Sequence, residues 1–208
     1  MQINHFFHSL IIVSCLALST AARADSPITS TPFSGAYTDL EIVQQAAAAG
    51  VINGDIAAYL AAPGNPVDVK AAVVNALSWK FEGKNNAELF TWYLALKYHT
   101  PLEKLNYEVL NPGELFSLGY MMVMDDYFNP GKAVPILEAS AKADKTRSFT
   151  IAMILALTRA QTAMETDFCE VWQLTEDVLD DKSLKRDMKP EALDIILEYM
   201  NSYVDYCK

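Results

Sequence analysis

A single histidine, His99 in Tyr98-His99-Thr100-Pro101, lies beyond residue 24. An imidazole moves protons near neutrality more readily than any other side chain, so His99 is the first candidate for a general base. Its position at the end of an apolar run also suits a plainer task, bonding the last carbonyls of a helix and opposing its dipole. Two carboxylate pairs, Asp125-Asp126 and Asp180-Asp181, are the other acid–base candidates. Hydrolytic work needs two carboxyls facing each other across a substrate, whereas sequence neighbours on a helix point about 100° apart. An enzyme would therefore have to bring carboxylates such as Asp125 or Glu88, with or without His99, together from separate helices. No serine or cysteine stands in a nucleophile elbow, and no zinc, calcium-loop or phosphate-loop pattern occurs, so no cofactor and no metal are expected.

The most unusual stretch is Tyr120-Met121-Met122-Val123-Met124-Asp125-Asp126-Tyr127-Phe128. Met121 and Met124 share a helical face, as soft-metal ligands would, but the further Met or His residues that such sites use are missing nearby. The spacing points instead to a groove lined by Tyr120, Met124 and Tyr127, with Asp125 and Asp126 at its edge to orient basic groups of a partner. Trp79, Trp92 and Trp172 fall within apolar helical patterns and are expected in the core.

These side chains depend on the elements that carry them. Residues 1–24 read as a signal peptide: a short apolar run from Leu10 to Leu18 ends at Ala22-Arg23-Ala24, a small-x-small site before Asp25. A rival processing route uses Ile12-Val13-Ser14-Cys15, with Cys15 as a lipidated residue. Residues 25–36 are turn-rich and lack periodicity, so a flexible lead-in is expected there. From Tyr37 to residue 208 the chain reads as one helical domain. Helices are expected at about 38–49, 53–62, 65–81, 87–98, 102–110, 113–127, 131–143, 148–164, 168–181 and 190–207. The run Phe149–Leu157 is apolar all round and should be buried on most sides. The final helix is two-faced, with Leu193, Ile196, Met200, Tyr203 and Cys207 on one side and Glu191, Asp194, Glu198 and Asp205 on the other.

Sliding the chain by 37 residues maps Leu118-Gly119 onto Leu155-Ala156, and Val134, Leu137 and Ala141 onto Val171, Leu174 and Val178. On these residues, with Ala133 and Ser140, the stretch 113–181 resembles tetratricopeptide-like helical hairpins. It departs from that family in its longer period and in the absence of a closing proline at Lys145. The resemblance implies an all-α fold of antiparallel hairpins stacked as a short repeat superhelix with a C-terminal capping helix, and a scaffold that binds protein or peptide. Antiparallel neighbours would bring Cys169, at the start of one helix, to Cys207, at the end of the next, so a disulfide is expected in an oxidising compartment.

Removal of the signal leaves 15 basic against 26 acidic side chains, a charge of −11, which disfavours non-specific binding to a phosphate backbone. No stretch after the signal is long enough and apolar enough for a membrane span. The expectation is a periplasmic or secreted binding protein with an acidic surface, of inhibitor, immunity or envelope-scaffold type, whose partner is a basic protein or peptide. The alternatives are a carboxylate-based hydrolase and a carrier with a closed apolar cavity for a small ligand.

Overall fold

The computed structural model describes residues 26–78 and 85–208. The expected signal peptide of residues 1–24, with Cys15, and also Trp79 lie outside the described residues. Among them the chain forms nine α-helices: α1 Glu41–Ala49, α2 Gly54–Ala61, α3 Val67–Leu77, α4 Asn86–Lys97, α5 Pro112–Asp125, α6 Val134–Ala143, α7 Phe149–Ala163, α8 Phe168–Asp180 and α9 Pro190–Met200. Their starts follow from local chemistry. Asn53, Ser148 and Asp167 accept hydrogen bonds from the first free amides of α2, α7 and α8, and Asn111 and Glu114 close a reciprocal capping box on α5 with Pro112 at its first position. Gly50 ends α1 at φ 62°, a left-handed conformation that costs glycine least.

The most extensively packed neighbours are α7 with α8 and α5 with α6, both hairpin partners in sequence, and α6 also packs on α7. Gly119 sets the approach of α5 to α6: a Cβ there would lie 2.8 Å from Leu137 Cγ and 3.3 Å from the Leu137 amide nitrogen. Helix α7 is the central one, with Ile151, Met153, Ile154, Leu157 and Ala160 all buried. No described helix is long and apolar enough to cross a membrane.

Three segments differ from the sequence expectation. Residues 26–36 are an integral part of the core, with Ile28, Phe33 and Tyr37 buried. Asn75 of α3 fastens them, accepting from the Ser34 amide at 2.9 Å and donating to the Thr31 carbonyl and the Tyr120 hydroxyl at 3.1 Å each. Turn residues hid three large side chains aimed inward. The expected helix over 102–110 is two single 3₁₀ turns, Leu102–Lys104 and Tyr107–Val109, because the Asn106 side chain accepts from the Glu108 amide and competes with a continuous ladder. The last helix tightens into 3₁₀ geometry over Asn201–Cys207.

The expected disulfide is present. Cys169 and Cys207 are bonded, with their Cα atoms 4.7 Å apart, tying the start of α8 to the end of the chain.

Candidate functional site

An open groove of about 460 Å³ runs between the first turn of α6, the last turn of α7 and the middle of α8. Its floor is apolar, formed by Val134, Pro135, Ala163 and Leu174, and its rim carries Glu165, Glu170 and Arg159. Antiparallel packing of α7 on α8 creates this shape: the chain turns at Met164–Asp167 and leaves the small Ala163 and Thr162 facing the larger Leu174. The cation on the rim is already neutralised, since an Arg159 guanidinium nitrogen lies 2.7 Å from Glu138. Glu165 and Glu170 are both exposed and make no ion pair among the described residues. The groove thus presents apolar surface framed by net negative charge.

An aromatic cluster adjoins that rim in sequence. Phe168 is 42% exposed and Tyr206 is 59% exposed, with ring centroids 5.0 Å apart, and both pack on the buried Tyr203. The bond between Cys169 and Cys207 fixes the two exposed rings side by side. Exposed Asp167, Glu170 and Asp205 surround them in sequence. Neither α8 nor α9 contains a lysine or arginine. Aromatic faces and carboxylates both attract cations, so this face favours basic groups.

The side chains that the sequence placed around a groove on α5 lie elsewhere. Tyr120, Met124 and Tyr127 are buried, and Tyr120 stacks on Phe33 while receiving the Asn75 bond. Burial raises the Tyr120 and Tyr127 phenols above their ordinary pKa. All three side chains fill the interior rather than a surface, Tyr120 beneath the inward-packed residues 26–37. Asp125 accepts from the Ala87 amide at 2.7 Å and so caps the start of α4, whose own Asn85 makes no side-chain cap. Asp126 is exposed and accepts from the Asn129 side chain at 3.0 Å. Asp181 accepts from Ser183, which holds its carboxyl below the ordinary range, and Asp180 pairs with Lys182.

Asp125 reaches the start of α4 beside Glu88, but His99 does not join them there. Glu88 begins that helix and His99 follows its end, a separation of about 16 Å at 1.5 Å per residue. Trp92, expected in the core, is 49% exposed on α4.

Sequence reasoning missed the groove residues and a buried ionic node. Val134 and Leu174 were legible only as repeat positions, and nothing in their spacing marks them as half-open. The node centres on Glu114, fully buried, which accepts from Lys97 at 2.5 Å, from the Tyr98 hydroxyl at 2.7 Å and from the Asn111 amide at 2.9 Å. Burial and the Glu114 carboxylate push the Tyr98 phenol up to about 12. One signal was available: Lys70 interrupts the run Val69 to Val74, where every neighbour is apolar.

The chain matches no protein-family model, and no curated protein and no solved structure is significantly similar to it.

Proposed function

We propose that this is an exported, non-catalytic binding protein that docks a basic, amphipathic segment of a partner protein in the groove between α6, α7 and α8. The observation that carries the reading is the pairing of an apolar floor with an uncompensated acidic rim: Val134, Pro135 and Leu174 would take apolar anchors, and Glu165 and Glu170 would hold flanking lysines or arginines. The exposed rings of Phe168 and Tyr206 extend the same preference for cations along the adjoining face. The overall acidic balance supports long-range steering of such a partner. Export is supported by the Cys169–Cys207 bond, which persists in oxidising compartments, together with the signal-like amino terminus.

In this reading α5–α6 and α7–α8 are two units of a short hairpin repeat and α9 is its cap. Supporting it are the 37-residue offset and the small residues Gly119 and Ala156 at corresponding places in the two first helices.

The reading is tested with a labelled amphipathic Lys/Leu peptide and its Glu/Leu counterpart, followed by fluorescence anisotropy at low and physiological salt. The basic peptide should bind and weaken as salt rises, and the acidic one should not bind. The double reversal Glu165→Lys/Glu170→Lys should weaken binding about tenfold, near 1.4 kcal/mol. The same charge change at exposed Glu103 and Glu108, away from the groove, should cost far less. Equal losses for the two double variants would show that net charge alone attracts the peptide and would remove the groove from the account.

A further inference from the structure

A second cleft, of about 420 Å³, lies on a different part of the molecule, where the starts of α3, α5 and α7 converge. Its lining includes Asp68 and Lys70 of α3, Gly113 of α5, Asp144 before α7, and Lys185 and Asp187 from the segment that follows α8. A short parallel bridge holds that segment in place: Lys185 donates its amide to the Arg147 carbonyl at 2.8 Å and accepts from the Phe149 amide at 2.9 Å.

Opposite charges stand in this cleft without meeting. Lys70 is 1% exposed, and among the described residues its ammonium makes one hydrogen bond, 2.6 Å to the Ala62 carbonyl. An ammonium has three donors, so two remain unused. Glu114, whose charge acts on Lys70, is held in contact with Lys97 instead. Asp68 accepts from the Tyr37 hydroxyl at 3.1 Å, and Asp187 accepts from the Thr150 amide and hydroxyl at 3.0 and 2.9 Å. Asp187 is near enough to Asp68 for its charge to raise the Asp68 carboxyl, which burial raises already. Among the described residues no cation pairs with Asp68, Asp187 or Asp144, and no carboxylate pairs with Lys70 or Lys185. Lys70 and Asp68 cannot satisfy each other, because residues two apart on a helix do not face one another.

Asp144 is already committed to the turn before α7, accepting from the Thr146 amide and hydroxyl and from the Ser148 amide. The Lys185 side chain is exposed at the rim. The buried charges that lack an ion pair among the described residues are therefore the Lys70 ammonium and the neighbouring carboxylates of Asp68 and Asp187, which accept hydrogen bonds from neutral donors alone. Gly113 lies close against the ammonium on the cleft side, since a Cβ there would lie 2.7 Å from Lys70 Nζ.

We infer that this cleft binds a small zwitterion, an α-amino acid or short peptide, whose carboxylate meets Lys70 beside Gly113 and whose ammonium meets Asp68 and Asp187. A simple anion would face the two carboxylates, and a simple cation would leave Lys70 unpaired; only a ligand carrying both charges answers both. The volume lies within the range of ordinary small-molecule sites. The inference is independent of the peptide groove, whose residues it does not share.

Calorimetric titration and thermal shift with the common L-amino acids and a set of dipeptides, each alongside its N-acetyl and carboxamide derivative, test it on the whole mature protein. At least one zwitterion should bind, and blocking either end should weaken it about tenfold or more. Lys70→Met and Gly113→Ala should each abolish the binding while leaving the circular dichroism spectrum and the affinity for the basic peptide unchanged. The inference is overturned if no zwitterion in the set binds, if a blocked derivative binds as well as its parent, or if the Lys70→Met protein still binds.

Discussion

Replacing Lys70 by methionine should make the protein more stable, and the size of the gain follows from the site. Methionine keeps most of the volume of the lysine stem and removes a charge that is buried with a single neutral partner, the Ala62 carbonyl. Burial lowers the Lys70 ammonium from its ordinary 10.5 to about 8. A drop of that size corresponds to about 3 kcal/mol of destabilisation wherever both the folded and unfolded chains carry the proton. Against this stands the lost bond to Ala62, about 1 kcal/mol, which leaves an expected net gain of about 2 kcal/mol at pH 7. The sign with pH is fixed by the direction of the change. The unfolded chain holds the proton more tightly, so the penalty is full below pH 8 and fades as pH rises towards 10. Wild-type stability should therefore climb by about 2 kcal/mol between pH 7 and 10, and the Lys70→Met protein should lose that climb. Above pH 10 both proteins should weaken, because burial raises the Tyr37 and Tyr120 phenols and unfolding then releases their protons. Urea unfolding at a series of pH values measures all of this. A Lys70→Met protein less stable than wild type at pH 7, or a wild-type profile flat from pH 7 to 10, would show the ammonium to be well solvated and its burial to cost nothing.

Removing the disulfide by Cys169→Ser/Cys207→Ser should cost up to about 4 kcal/mol, the chain-entropy value for a closed loop of 38 residues, read as a fall of roughly 8–16 °C in Tm. A fall under about 2 °C would mean that the last turn is held by Tyr203 and its ring contacts alone. Gly119→Val should destabilise by about 1–3 kcal/mol, because its branches would press into Leu137 and its amide; chemical denaturation that shows no loss would contradict the close approach of α5 to α6. Asp125→Ala should cost about 1 kcal/mol by uncapping α4, with amide exchange quickening first at Ala87.

Helix positions were legible where a cap and an apolar period agreed. The starts expected near 113, 148 and 168 agree with the fold to within a residue, where Asn111 with Glu114, Ser148 and Asp167 cap α5, α7 and α8. The disulfide was legible too, since antiparallel neighbours bring the ends of their helices together. Long-range effects were not. Nothing local shows that Asn75 will reach back to Thr31 and Ser34, so residues 26–36 resembled a tail. Tyr120, Met124 and Tyr127 carry the chemistry of an adaptable surface but are buried in the core, Tyr120 beneath that segment. The acidic groove arises where three helices meet, and its rim residues Glu165 and Glu170 have no periodic signature. Lys70 was the one clue in plain view: a charge inside an apolar helical run must be paired, functional or costly.

A photo-crosslinking amino acid placed at the exposed groove position Thr162 tests the central claim most directly, when the crosslinked product from the native cell is mapped by mass spectrometry. The expected product is a crosslink to a basic, amphipathic segment of one protein partner, lost when Glu165 and Glu170 are reversed to lysine. A crosslink to an acidic or uncharged segment, or one that survives that reversal, would contradict it.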